Sequence, residues 1–162
     1  MGSDPIMKTT INELQALVST FTDRFDAIPE ADFASRPAPD KWSKKEVLGH
    51  LIDSAQNNLR RFICSQYEEA PPHIVYEQDF WVTANGYQNE TSKDLIALWV
   101  LINHRILSVL DNMPAKAHSK TCNTGRNESS LHTLDWLAAD YVKHMKHHLN
   151  QIIPASFNIT YP

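Results

Sequence analysis

Near its C-terminus the chain reads YVKHMKHHLNQIIP, and three of its eight histidines, His144, His147 and His148, fall within five residues there. Imidazole exchanges protons near neutral pH and is the commonest metal ligand among side chains, so the spacing decides which chemistry is open. At about 100° per residue in a helix, Leu134, Leu137, Ala138, Tyr141, Met145, Leu149 and Ile152 share one arc, the side expected to face a core. His148 falls inside that arc and His144 at its edge on the same flank, whereas His147 projects outside it, toward solvent. Two histidines at i and i+4 stand one above the other on a helix face, where both rings can bind one metal without bending the backbone. The same two rings could equally be core residues hydrogen-bonded to neighbours, and the pair alone does not choose.

A third ligand would decide it. His73 and His118 fall in expected loops, His104 in an expected helix, and His132 in the first turn of the helix that carries the cluster. His50 lies at the border of an apolar arc, followed directly by Leu51 and Ile52. Ser54, Asn57 and Arg61 continue that border at three- and four-residue steps. Such a polar stripe is either a solvated helix edge or the wall of a site, and His50 is the residue in it that could complete a three-histidine set.

Four periodic segments must position these residues. The first runs from Thr10 to about Ile28 through Leu14, Leu17, Val18, Phe21 and Phe25, and Pro29 ends it. The second begins at Ser43, where Ser43 and Glu46 make an S-x-x-E capping box, and buries Val47, Leu48, Leu51, Ala55, Phe62 and Ile63. The third spans about Ser92 to Asn112 through Leu95, Leu98, Trp99, Ile102, Ile106 and Leu110, and the fourth about Ser130 to Ile153 before Pro154. Between the second and third, residues 69–90 hold two prolines, a glycine and the aromatics Tyr76, Phe80, Trp81 and Tyr87. That connection is too irregular for a long helix and too aromatic to hang free, so it is expected to pack across the body of the domain. The loop SKTCNTGRNESS is read as polar and irregular. Four amphipathic helices with no strand-like alternation beyond a few residues indicate an all-α bundle.

Composition excludes several classes. At 162 residues the chain suits one domain, read as 1–162, with a natural start expected at Met7 and residues 1–6 as a remnant of expression. Hydrophobic content of 42% with 21% charged residues fits a globular chain, and no apolar run approaches the roughly 20 residues of a membrane span. A net charge of -4 with scattered Lys and Arg offers no basic stripe for nucleic acid. Cys64 and Cys122 lie far apart in no metal-type pair, which reads as two reduced thiols. The opening MGSDPIM has no secretory apolar stretch, so a cytoplasmic location is expected.

The stretches KWSKKEVLGHLIDSAQNN and WLAADYVKHMKHHLNQI together resemble the DinB-like superfamily, which includes the YfiT-type metal-dependent hydrolases and bacterial low-molecular-weight-thiol transferases. The resemblance falls on Trp42, Ser43, Gly49, His50 and Leu51, then on His144, His147, His148, Gln151 and Ile152. It implies an antiparallel four-helix bundle with a long loop between the second and third helices, and a metal triad of His50, His144 and His148. Three neutral imidazoles leave coordination positions open, the mark of a catalytic site. Zinc or nickel suits such a set best, with iron or manganese also admitted. The function implied is a metal-dependent enzyme that activates water or a small thiol, a hydrolase or thiol transferase acting on a small molecule. A metal- or ligand-binding module without turnover is the alternative. A nucleic-acid role, suggested by the family's damage-inducible origin, is opposed by the acidic charge balance. A homodimer is in keeping with the family, whose bundles often pair. Asp140, one turn before His144, and Gln151 are candidates to receive a ligand's second ring N–H. Arg61 is a candidate for an anionic substrate group. No cysteine, serine or aspartate stands in a nucleophile-and-base pattern, so the nucleophile is expected to come from outside the chain.

Overall fold

The computed structural model describes residues 5–162; residues 1–4, part of the segment ahead of Met7, lie outside the described residues. Six helices occur among them: α1 (Pro5–Asp26), α2 (Glu30–Ala34), α3 (Lys44–Tyr67), α4 (Gln78–Asn85), α5 (Ser92–Asn112) and α6 (Leu134–Ile152). The four long ones form a bundle in which α3 packs on α5 and α6, and α1 closes the other side against the same two helices. Ion pairing of Glu13 with Lys146, and the reach of Arg24 to Ser156, show that α1 and α6 run the same way. His50 meets His148 while Ser54 meets His144, so α3 runs against α6.

Each long helix is seated by the apolar stripe its sequence carries. On α6, Leu134, Leu137, Ala138, Tyr141, Val142, Met145, Leu149 and Ile152 are all buried. The larger of these side chains contribute about 1.5–3 kcal/mol each on leaving water, so packing rather than any polar contact fixes the helix in place. Tyr141 spends its hydroxyl inside the core, donating to Asn103 Oδ1 of α5 at 2.6 Å. Two expected core positions differ: Ile63 and Leu98 are 43% and 42% exposed, because both sit on the rim of their arcs.

The start of α3 is fixed from several sides. Glu46 N donates to Ser43 Oγ at 3.2 Å and Ser43 N to Glu46 Oε2 at 2.9 Å, which completes the capping box. Lys45 Nζ donates to the Glu90 carbonyl at 2.7 Å and pairs with Glu30, whose carboxylate also accepts from Ser92 N. The long connection therefore returns the chain so that α5 begins beside the start of α3. Along the way it forms α4, a two-turn helix that the irregular sequence hid, ended by Gly86 at φ 62°.

Three further boundaries depart from the sequence reading. Helix α1 starts at Pro5 and buries Met7 and Thr10, so it is a turn longer at its beginning. The polar loop holds a hairpin of β1 (Thr121–Asn123) and β2 (Leu131–Thr133), antiparallel with Cys122 opposite His132. His132 thus lies on a strand, and not in the first turn of α6. No helix among the described residues is long and apolar enough to cross a membrane.

Candidate metal centre

His50 comes from the second turn of α3, and His144 and His148 from the last turns of α6. Their Nε2 atoms lie 3.1 Å from one another in all three pairs. Ligands about 2.1 Å from one zinc-sized ion lie roughly 3.0 Å apart at right angles and 3.4 Å apart in a tetrahedron, so the spacing fits one small divalent cation. The donor chemistry points the same way. A ring nitrogen either carries a proton or presents a lone pair, and three nitrogens in an equilateral triangle cannot all be matched by hydrogen bonds to each other. The unmatched lone pairs converge on one point.

The second nitrogens differ in their partners. His148 Nδ1 lies 2.9 Å from Gln151 Oε1, an acceptor, so Nδ1 carries the proton and Nε2 is bare. His144 Nδ1 faces Ser54 Oγ at 3.4 Å. His50 is 1% exposed, and its Nδ1 has no protein partner among the described residues. Burial, reinforced by the neighbouring rings, lowers the pKa of His50 to about 3 and depresses His144. Burial lowers that of His148 too, against a raising hydrogen bond from Gln151. All three are therefore neutral at physiological pH, the form that binds a metal.

Trp42 lies against His50 with ring centroids 5.2 Å apart. Beside it opens a cleft of about 860 Å³ whose walls include Trp42, Val47, Lys41, Lys44, His148 and Gln151. The sequence predicted Gln151 as a partner of a ligand ring, and the structure puts it at His148. Asp140 is not hydrogen-bonded to His144; both its oxygens accept from Tyr161 Oη, at 3.1 and 3.0 Å. Arg61 is tied down, donating from Nε and Nη2 to the Ile74 carbonyl and from Nη1 to Asn58 Oδ1, and it lies outside the cleft lining. His147 stays out of the triad, half-buried beneath the Tyr161 ring at 5.7 Å. Among the other histidines, His73 bonds the Gly125 carbonyl, His132 stacks on Trp136, His118 is buried in a loop and His104 is exposed.

Two groups near the triad give no expectation from sequence. Tyr161, on the segment after α6, brings its ring to 5.6 Å from His144. Asp53, one turn beyond His50, is fully buried and accepts from Tyr87 Oη at 2.6 Å and Asn85 Nδ2 at 3.2 Å. Burial raises its pKa to about 6. Gly49 makes room for that contact: the Tyr87 ring lies directly over it, where a Cβ would come within 2.0 Å of the ring. The signal for Asp53 was an acid inside an apolar helix face; Tyr161 gave none.

Comparison with known proteins places this architecture. YfiT from Bacillus subtilis, a probable metal-dependent hydrolase with an unusual four-helix bundle topology, superposes with a TM-score of 0.82 at 20% identity, over 94% of this chain and 86% of YfiT. The mycothiol-dependent maleylpyruvate isomerase superposes with a TM-score of 0.69 at 12% identity, and a histidine-to-alanine variant of it with 0.73 at 11%. Each covers 92% of this chain but only 62% of the isomerase, so the chain spans about three-fifths of that enzyme. At these identities the likeness shows the fold alone. No curated protein matches the sequence. The DinB superfamily model matches residues 13–152, which takes in His50, His144 and His148, all of α3, α5 and α6 and the greater part of α1, and the chain belongs to the DinB superfamily.

Proposed function

We propose that this chain is a metal-dependent enzyme in which His50, His144 and His148 hold one divalent cation, zinc or nickel, and in which water or a small thiol serves as nucleophile. The observation that carries the reading is the convergence of three Nε2 lone pairs on one point beside an open cleft. A divalent cation bound there makes a neighbouring water or thiol more acidic and so supplies a nucleophile at neutral pH.

The chain's own residues do the rest. Gln151 keeps His148 in the tautomer whose Nε2 is free, and Trp42 covers one side of His50. Lys41 and Lys44 offer charge to an anionic group in the cleft, while Trp42 and Val47 offer apolar surface. These lysines are better placed for that task than Arg61, which straps residue 74 to α3. Neither cysteine supplies a nucleophile: Cys122 is buried against the Pro72 carbonyl, and Cys64 is bonded by Tyr67. The mycothiol dependence of a structural relative favours thiols as one class of substrate to test.

The test is metal content by elemental analysis, followed by ester and amide hydrolysis and thiol transfer to an electrophile, each with and without chelator. We expect about one divalent ion per chain and activity that chelation abolishes. A folded protein that takes up no metal, or a metal-free sample that turns over at the full rate, rejects the reading. A metal-loaded chain inactive on every substrate becomes a binding module.

A further inference from the structure

Two buried polar atoms lack a protein partner within one turn of each other on α3, His50 Nδ1 and Asp53 Oδ2. Asp53 has no exposed surface. Its other oxygen is well held, since Tyr87 and Asn85 both donate to Oδ1. A carboxylate withdrawn wholly from water with one oxygen unpaired is costly, and such groups persist where they do a task.

The two atoms are complementary. With Nε2 of His50 as the lone pair facing the other rings, Nδ1 carries the proton and donates, whereas Oδ2 accepts. Side chains three apart on a helix start about 5–6 Å apart at Cβ, close enough for their polar atoms to share one water that bonds each at about 2.8 Å. The other two rings already have oxygen partners, Gln151 for His148 and Ser54 for His144. His50 is the ring that lacks one.

We propose that Asp53 is the positioning residue for His50, acting through a single buried water between Oδ2 and Nδ1 and so setting the tautomer in which His50 meets a cation. The inference rests on the metal-site reading above. Gly49 and Tyr87 then have a place in the site: the glycine admits the ring, and the ring's hydroxyl holds the carboxylate.

Asp53→Asn tests the proposal in the full chain, read by competition titration with Co(II) and by nitrogen NMR of the histidine rings in the metal-free protein. In the wild type His50 should show the Nδ1–H tautomer. In Asp53→Asn it should populate both tautomers, and Co(II) affinity should fall about 10- to 100-fold. Ser65→Ala removes another buried polar atom without a partner among the described residues, farther along α3, and should retain the affinity; an equal fall in both variants would mark a packing effect and overturn the proposal. So would Asp53→Asn with wild-type affinity and an unchanged tautomer. If that variant does not fold, a high-resolution structure of the wild type decides: a water bonded to both atoms supports the link, and Oδ2 turned away from His50 overturns it. A wild type that binds no Co(II) refutes the metal reading instead, and the tautomer of His50 still judges the link to Asp53.

Discussion

Replacing Gly49 with alanine adds one methyl group to α3, and helix propensity and packing give opposite signs for its effect. On propensity alone the change stabilises by about 1 kcal/mol. The structure reverses that. The new Cβ would sit 2.0 Å from Tyr87 Cδ2 and 2.4 Å from Cγ, about 1–2 Å inside ordinary carbon contact. The ring cannot swing aside freely, because it is 5% exposed and its hydroxyl is bonded to Asp53. Overpacking of this kind costs about 1–3 kcal/mol and occasionally more; an approach this close to a held ring belongs at the upper end, so after the propensity gain of about 1 kcal/mol we expect a net loss of about 2 kcal/mol. For a chain of this size that lowers Tm by about 4–8 °C. Urea unfolding followed by circular dichroism, with a thermal melt, measures both. Tyr87→Ala should remove the clash, and in that background Gly49→Ala should become stabilising by about 1 kcal/mol. A Gly49→Ala protein as stable as the wild type, or a penalty that survives the loss of the tyrosine ring, would refute the reasoning.

His148→Ala should lose most bound metal by elemental analysis, whereas His147→Ala should keep it; equal loss in both would mean that the ligand face is misassigned. Stability of the metal-free protein should fall with pH below about 6.5, because the unfolded chain then takes up protons that the buried histidines refuse. His50, held down to about 3 by burial, contributes about 2 kcal/mol of that loss between about pH 6.5 and 5. Asp53, raised to about 6, opposes it between about pH 6 and 4, and Asp140, raised by burial, acts in the same direction, two carboxylates against three rings; a urea midpoint that rises on acidification would contradict the balance. Tyr161→Ala should leave metal content unchanged but speed metal loss to a chelator, since the ring lies against His144. Identical exchange rates would show that the ring does not shield the site.

The four long helices were legible because each carries a stripe at the 3.6 period over about twenty residues, and the start of α3 because Ser43 and Glu46 advertise a capping box. The inward pair His144 and His148 followed from the same arithmetic, and His50 from its place on an arc border together with the family resemblance. What stayed hidden depends on contacts distant in sequence. Three-residue strands have no room for alternation, and β1 and β2 exist through their pairing and the bridge of His73 to Asn123. Asp140 stands one turn before His144, which points it toward that ring, but a tyrosine 21 residues away captures its carboxylate. Ile63 and Leu98 look like core by type, and only the position of neighbouring helices leaves them on the rim.

The three rings converge because two helices are already seated by Leu48, Leu51, Ile52, Tyr141, Met145 and Leu149, all buried. No disordered segment has to be gathered, so a cation binding there spends none of its binding free energy on chain ordering. This separates the protein from small modules that are unstructured without their metal. Stripping the ion should leave a folded chain, less stable only by mass action, about 2.7 kcal/mol for a ligand at a hundred times its dissociation constant. A framework that stands by itself could also release one metal and accept another, so the identity of an ion held there would be governed by supply and ligand preference and not by the requirements of folding.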